Sequence, residues 1–123
     1  MKKIMLVDDV EISNFIMKRM ISKASPATKI FDYTYPVKAL EVLSEINPDL
    51  IFLDLNMPAV DGWQFLEAMK KSTIMIPVYI LTSSTSELDL QKSRNYKNVN
   101  DFLIKPITEI KINEILNNYY RKG

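Results

Sequence analysis

The sequence predicts an α/β fold in which one parallel sheet lies between two layers of helices. Three observations carry this. Five short apolar runs, at residues 4–7, 30–33, 50–53, 78–81 and 102–104, are spread through 123 residues. Stretches with apolar residues at helical spacing separate them, so the order reads βαβαβαβαβα. Four of the runs look apolar enough to be covered on both faces, as parallel strands between helix layers are.

Each element follows in order. The run at 4–7 is Ile-Met-Leu-Val, a core strand by composition. The run at 30–33 is interrupted by Asp32 and suits an edge. The runs at 50–53, 78–81 and 102–104 complete the set of strands. Between them, Ile12, Phe15, Ile16 and Met20 share one helical face. Ala39, Leu40 and Leu43 form a second stripe, with Pro36 suited to the first turn. Phe65, Leu66 and Met69 form a third. Ile112, Ile115, Leu116 and Tyr119 form the last, after a cap at Thr108. Residues 86–96 are mostly polar, with Leu88 as the clearest anchor, so this helix is expected to be the least firmly docked. Right-handed crossovers narrow the topologies, and a doubly wound, flavodoxin-like five-stranded sheet of order 2-1-3-4-5 is expected. A closed (β/α) barrel is excluded by length, since about 250 residues are typical there.

Composition bounds the function. At 47% hydrophobic and 25% charged the chain has a globular balance, and residues 1–123 are expected to form one domain. A net charge of +1 gives no global basic field for nucleic acid, so no direct nucleic-acid partner is expected. There is no Cys, hence no disulfide or thiolate site, and no His, hence no internal phosphohistidine or Ser-His-Asp triad. Any metal should then be a hard cation held by oxygen. The apolar start at residues 4–7 is too short for a signal peptide, and two aspartates follow it at once. No segment has the length of a membrane span, so a cytoplasmic protein is expected.

The strand ends carry the chemistry. The first strand is followed by Asp8-Asp9, the third by Asp54, the fourth by Thr82-Ser83-Ser84 and the fifth by Lys105-Pro106. In a parallel sheet these groups share the carboxyl edge, where a crevice opens between the first and third strands. Three carboxylates crowded there repel one another, and a divalent cation relieves that repulsion. Mg²⁺ takes oxygen ligands at roughly 2.0–2.1 Å and favours sites shared with phosphate. Lys105 suits a phosphoryl oxygen, and the Thr82 hydroxyl can donate to a second. Asp54 is then the nucleophile, because carboxylates form acyl phosphates in phosphoryl transfer.

Taken singly, each residue has a plainer explanation. Asp8 and Asp9 suit a cap of the first helix. Asp54 suits an Asx turn. Thr82 suits the end of a strand or a helix cap, Lys105 a solvated surface, Pro106 the start of a helix and Asp61-Gly62 an ordinary turn. These explanations say nothing about why all the residues fall at strand ends that meet.

The set Val7-Asp8-Asp9 with Asn14, Asp54-Leu55-Asn56-Met57-Pro58 leading to Asp61-Gly62, Leu81-Thr82-Ser83, and Phe102-Leu103-Ile104-Lys105-Pro106 resembles the receiver domain of bacterial response regulators over essentially the whole chain. The resemblance implies that Asp54 accepts a phosphoryl group from a sensor-kinase phosphohistidine. It implies Asp9 as a direct Mg²⁺ ligand, Asp8 as one acting through water and the Asn56 carbonyl as the third protein ligand. It implies Thr82 as the switch hydroxyl, Lys105 as the phosphate-binding lysine, Phe102 as the aromatic switch residue and a cis bond before Pro106. Asn56 and Ser84 match positions whose side chains, in the family, tune access of water. Some positions depart from the pattern. Tyr35-Pro36-Val37 replaces a usual glycine, Phe102 lacks the hydroxyl of the usual Tyr, and Asn98 replaces a glycine, with Asn suited to positive φ.

The resemblance implies a phosphorylation switch that acts on a partner protein, with no output domain after Gly123. The resemblance implies a sensor histidine kinase or a histidine phosphotransfer protein as the phosphoryl source, and an unidentified protein as the downstream target. A relay intermediate is the neighbouring alternative. An aspartate-nucleophile phosphatase is the enzymatic one, but it needs a second acid where Asn56 stands. A phosphorylation-independent scaffold usually loses an acidic or Lys position, and all are kept here. A flavodoxin-type cofactor module lacks its phosphate loop after Val7.

Overall fold

The strands pair in the order β2-β1-β3-β4-β5, all parallel, with β1 as Lys3–Val7, β2 as Lys29–Tyr33, β3 as Leu50–Asp54, β4 as Val78–Thr82 and β5 as Val99–Ile104. The structure, a computed structural model, describes residues 2–122, with side chains as far as Asn118. The helices are α1 (Glu11–Ala24), α2 (Pro36–Ile46), α3 (Gly62–Lys71), α4 (Glu87–Ser93) and α5 (Glu109–Lys122). The expected doubly wound sheet and its strand order are therefore observed.

Alternation along the strands builds two cores. Met5 and Val7 of β1 and Ile51 and Leu53 of β3 point to one face. There they meet Ala39 and Leu43 of α2 and Phe65, Leu66 and Met69 of α3. Ile4 and Leu6 of β1 and Leu50 and Phe52 of β3 point to the other. There they meet Met17 and Ile21 of α1 and Ile112, Ile115 and Leu116 of α5. The period of two in a strand makes this division, and covering both faces makes every central strand position apolar. Pro36 stands in the first turn of α2, and the Thr108 hydroxyl accepts the Lys111 N–H at 3.2 Å at the start of α5. Tyr119, expected on the α5 stripe, lies outside the described side chains.

Three expectations are corrected. On α1 the buried residues are Asn14, Met17 and Ile21, whereas Ile12, Phe15 and Ile16 are 59%, 51% and 51% exposed. Two stripes of helical period run along this helix, and the more apolar one faces mostly outward, with Met20 of it half-buried against the core. The Asn14 amide decides the orientation, because it donates to the carbonyls of Asp8 (3.0 Å) and Tyr33 (3.1 Å). On α4, Leu88 is 75% exposed and does not anchor the helix; Ser93 is its buried residue. β5 begins at Val99 rather than at 102, and only Leu103 in it is buried. It is an edge strand like β2, and its polar start is tolerated because one side lacks a neighbour.

Among the described residues, no helix is long and apolar enough to cross a membrane.

The inverted α1 predicts opposite costs for two isoleucines. Ile21→Ala should lower stability by about 2–4 kcal/mol, and Ile16→Ala by less than about 0.5 kcal/mol, measured by urea unfolding.

Candidate functional site

Parallel pairing brings four strand ends together. Val7 sits beside Leu53, Asp54 beside Leu81, and Thr82 beside Ile104, so the residues at and just beyond these positions line one edge. One oxygen each from Asp8, Asp9 and Asp54 lie within 4.8 Å of one another. Lys105 Nζ lies 3.1 Å from Asp54 Oδ1 and 3.1 Å from Asp8 Oδ2. Asp8 and Asp54 are buried, only 3% and 4% exposed.

The electrostatics follow from crowding. Among the described residues, Lys105 is the cation in contact with the cluster; it bridges Asp8 and Asp54, and its single charge leaves two of the three negative charges unbalanced. Burial, then the Asp8 charge, push the Asp54 carboxyl up from 3.8 to about 6, against the pull of Lys105. Burial pulls the Lys105 ammonium down, but its hydrogen bond to Asp8 and the charges of Asp54 and Asp8 outweigh this and raise it. An octahedral Mg²⁺ has ligand oxygens roughly 3.0 to 4.2 Å apart. The Asp8, Asp9 and Asp54 oxygens lie within 4.8 Å of one another, close to that spacing, and a +2 ion would match the uncompensated charge.

Local structure holds each group. Asp8 does not cap α1, whose N-cap is Val10 without a side-chain bond. Its Oδ1 instead accepts the Val10 N–H at 3.0 Å, which turns the loop, while Oδ2 takes Lys105. Thr82 is fully buried, and its Oγ1 accepts the Ser84 N–H at 3.0 Å. The Ser84 hydroxyl donates to Asp89 Oδ2 at 2.9 Å, tying the strand end to α4. Phe102 is half-buried against the core that α2 and α3 cover, and Asn56 is exposed in the loop after β3. The Lys105–Pro106 peptide is cis. Asn98 does not take positive φ; its amide donates to the Ile76 carbonyl at 3.0 Å, tying the turn before β5 to the residues before β4. Tyr35, in place of the usual glycine, has φ −110° as N-cap of α2, so that turn needs no glycine.

Sequence reasoning underrated Asp61-Gly62. Asp61 caps α3 through a reciprocal pair with Gln64, at 2.9 Å in both directions. Gly62 donates its N–H to the Leu55 carbonyl at 2.9 Å. A Cβ at Gly62 would lie 2.8 Å from the backbone O of Asp54 and 2.8 Å from Leu55 Cα. The start of α3 is thus packed directly on the backbone that carries Asp54. The spacing Asp61-x-x-Gln64 was the signal available in the sequence.

The model of the response regulator receiver domain family matches residues 4–117. The chain belongs to that family, the receiver domains of two-component response regulators. It is similar to a protein-glutamate methylesterase/protein-glutamine glutaminase of Treponema denticola, 37% identical over 86 residues, which is 69% of this chain and 23% of that protein. Among solved structures it is similar to a two-component response regulator from Legionella pneumophila, with TM-score 0.85 and 26% identity over 98% of this chain and 99% of that one. The fold also matches the chemotaxis protein CheY4 of Vibrio cholerae, with TM-score 0.84 and 22% identity over 97% and 98% of the two chains. The chain spans between 21% and 40% of the length of the first curated relatives it matches.

Two outcomes test this geometry. The folded state binds the Asp54 proton more tightly than the unfolded chain. Its stabilising contribution is therefore complete below pH 3.8 and lost as pH rises through about 6. Without divalent cations, Asp54→Asn should be more stable than wild type at pH 7.5 by about 2–3 kcal/mol. The gap should close near pH 4, as read by urea unfolding. Gly62→Ala should lower stability by about 1–3 kcal/mol, because the clash is with backbone that cannot rotate away.

Proposed function

We propose that this chain is a phosphorylation switch whose acceptor is Asp54. The observation that carries the reading is the buried Asp54 carboxylate at the end of the central strand, 3.1 Å from Lys105 and beside Asp8 and Asp9. An Asp54 oxygen attacks the phosphorus of a phosphohistidine. The P–N bond breaks, its electron pair leaves with the imidazole, which takes up a proton, and an acyl phosphate forms. Asp8, Asp9, Asp54 and the Asn56 carbonyl are the residues we assign to Mg²⁺, which when bound supplies positive charge to the phosphoryl oxygens. Lys105 stabilises the charge that develops on those oxygens, with the Thr82 hydroxyl as a further donor. Thr82 releases the Ser84 N–H to reach the phosphoryl group, and Phe102 turns into the space vacated. The surface of α4, β5 and α5 changes and is read by a partner protein. This reading places the chain in the cytoplasm as a signal carrier.

The exposed α1 face supports a phosphodonor as the partner at this edge. Ile16 and Met20 line a cavity of about 400 Å³ that also reaches Asp8 and Lys105. Apolar helix surface is therefore continuous with the acceptor site. A histidine kinase or histidine phosphotransfer helix set against Ile12, Phe15 and Ile16 would present its phosphohistidine there. Nothing at the site favours steady phosphatase turnover, because Asn56 has no acid to protonate a leaving group.

Incubation with acetyl phosphate and Mg²⁺ should add one phosphoryl mass to wild type and none to Asp54→Ala, read by intact mass spectrometry. Lys105→Ala should slow labelling about 100-fold. An unlabelled wild type, or a labelled Asp54→Ala, refutes the proposal. Phe15→Ala with Ile16→Ser should keep acetyl phosphate labelling. The pair should lose transfer from whichever autophosphorylated kinase core, in a panel, labels wild type.

A further inference from the structure

The phosphoacceptor reading leaves one cluster without a role. Trp63, Glu67 and Lys70 stand at i, i+4 and i+7 of α3 and so share one helical face. All three meet Tyr96 in the turn that follows α4, and Trp63 also meets Lys92 within the helix. The Trp63 and Tyr96 rings stack at a centroid distance of 6.2 Å and 26°. The Tyr96 hydroxyl donates to Glu67 Oε2 at 3.0 Å. Lys70 Nζ lies 5.7 Å from the Tyr96 ring, and Lys92 Nζ lies 4.8 Å from the Trp63 ring. Tyr96 is three residues past the last residue of α4, and Lys92 is within it.

The other end of α4 is held differently. Its N-cap Ser86 makes no capping side-chain bond, and Leu88 is exposed. That end is tied by the Ser84 hydroxyl, which donates to Asp89 and accepts the Ser86 N–H at 3.1 Å. Ser84 in turn is tied to Thr82 through the bond from its own N–H. The two ends thus answer to different parts of the molecule. The first end is linked to the group that meets the phosphoryl oxygens. The second is linked to α3, whose start is packed on the Asp54 backbone and whose body is core.

We propose that the Trp63–Tyr96 stack is a pivot pin for α4. It fixes the C-terminal end of the helix to α3, so that phosphorylation at Asp54 moves the N-terminal end, released through Thr82 and Ser84, and not the whole helix. Tyr96 also shares with Phe102 a cavity of about 360 Å³ beneath α4, so the pin borders the space that the aromatic switch residue occupies. Tyr96 and Trp63 are positioning residues: neither touches the reacting atoms. The proposal rests on the phosphoacceptor reading for its trigger, but the pin itself exists in the unphosphorylated chain.

Hydrogen exchange on the full chain, with and without beryllofluoride and Mg²⁺, tests both levels. The amides of Arg94, Asn95 and Tyr96 are reporters, since each donates to a carbonyl of the helix end. In wild type, beryllofluoride should change exchange at residues 82–90 by about fivefold or more and at residues 93–99 by less than about twofold. Tyr96→Leu should raise exchange at residues 93–99 by about fivefold before any beryllofluoride is added, and should let the ligand's effect spread there. Trp63→Leu should do the same, and the double variant should add little to either single one. Both single variants should still label with acetyl phosphate. Equal changes at residues 82–90 and 93–99 in wild type overturn the pin, as does unaltered exchange in Tyr96→Leu. A wild type that does not respond to beryllofluoride at residues 82–90 refutes the phosphoacceptor reading and the trigger drawn from it. The exchange of unliganded Tyr96→Leu then decides the pin separately, faster exchange at residues 93–99 supporting it and unaltered exchange overturning it.

Discussion

Three carboxylates and one ammonium at the carboxyl edge of the sheet form the constraint on which the rest of the structure depends. Parallel pairing of β1, β3 and β4 forces Asp8, Asp9 and Asp54 together, and only the Lys105 that follows β5 answers them among the described residues. Buried like charges favour protonation, and Asp54 carries that cost in its raised pKa. A fold optimised for stability alone would not place Asp54 there. That cost is one that a divalent cation at this edge would relieve.

Neighbouring structure keeps this unfavourable edge in one geometry. The Asn14 amide spans the ends of β1 and β2, and the Gly62 backbone presses on the Asp54 carbonyl. The Asp61–Gln64 capping box fixes where α3 begins. None of these groups reacts. Together they limit the freedom of the loops after β1 and β3, so that the acidic oxygens cannot relax apart. Against this rigid side stands α4, seven residues long with one buried side chain, held at its two ends by separate contacts. Stiffness at the acidic edge and looseness at α4 are the division that a conformational signal needs.

Most of the fold was legible because its central strands are covered on both faces and its other helices carry one apolar stripe each. Positions such as Ile51, Phe65 and Ile112 had no alternative place. The gathering of Asp8, Asp9, Asp54 and Lys105 was legible because they stand at or just beyond the ends of strands that a parallel sheet brings to one edge. α1 misled for a physical reason. Its outward stripe is more apolar than its inward one, and hydrophobic period alone points to the wrong face. Leu88 misled similarly, since an isolated leucine on a polar helix carries no information about what it packs against. Asn98 suggested a positive φ by its residue type, yet its side-chain bond to the Ile76 carbonyl is what holds the turn.

The sequence by itself determined the parallel α/β order, the strands that lie at the centre and the acidic, hydroxyl and lysine residues that meet at one edge. Periodicity and residue chemistry are local properties, and they suffice for this. Only the tertiary structure decided which face of α1 is buried, that Gly62 touches the Asp54 backbone, and that Trp63 on α3 stacks on Tyr96 beyond α4. Those contacts join residues from separate elements, and their geometry is set by how the elements pack, which no single stretch of the chain encodes.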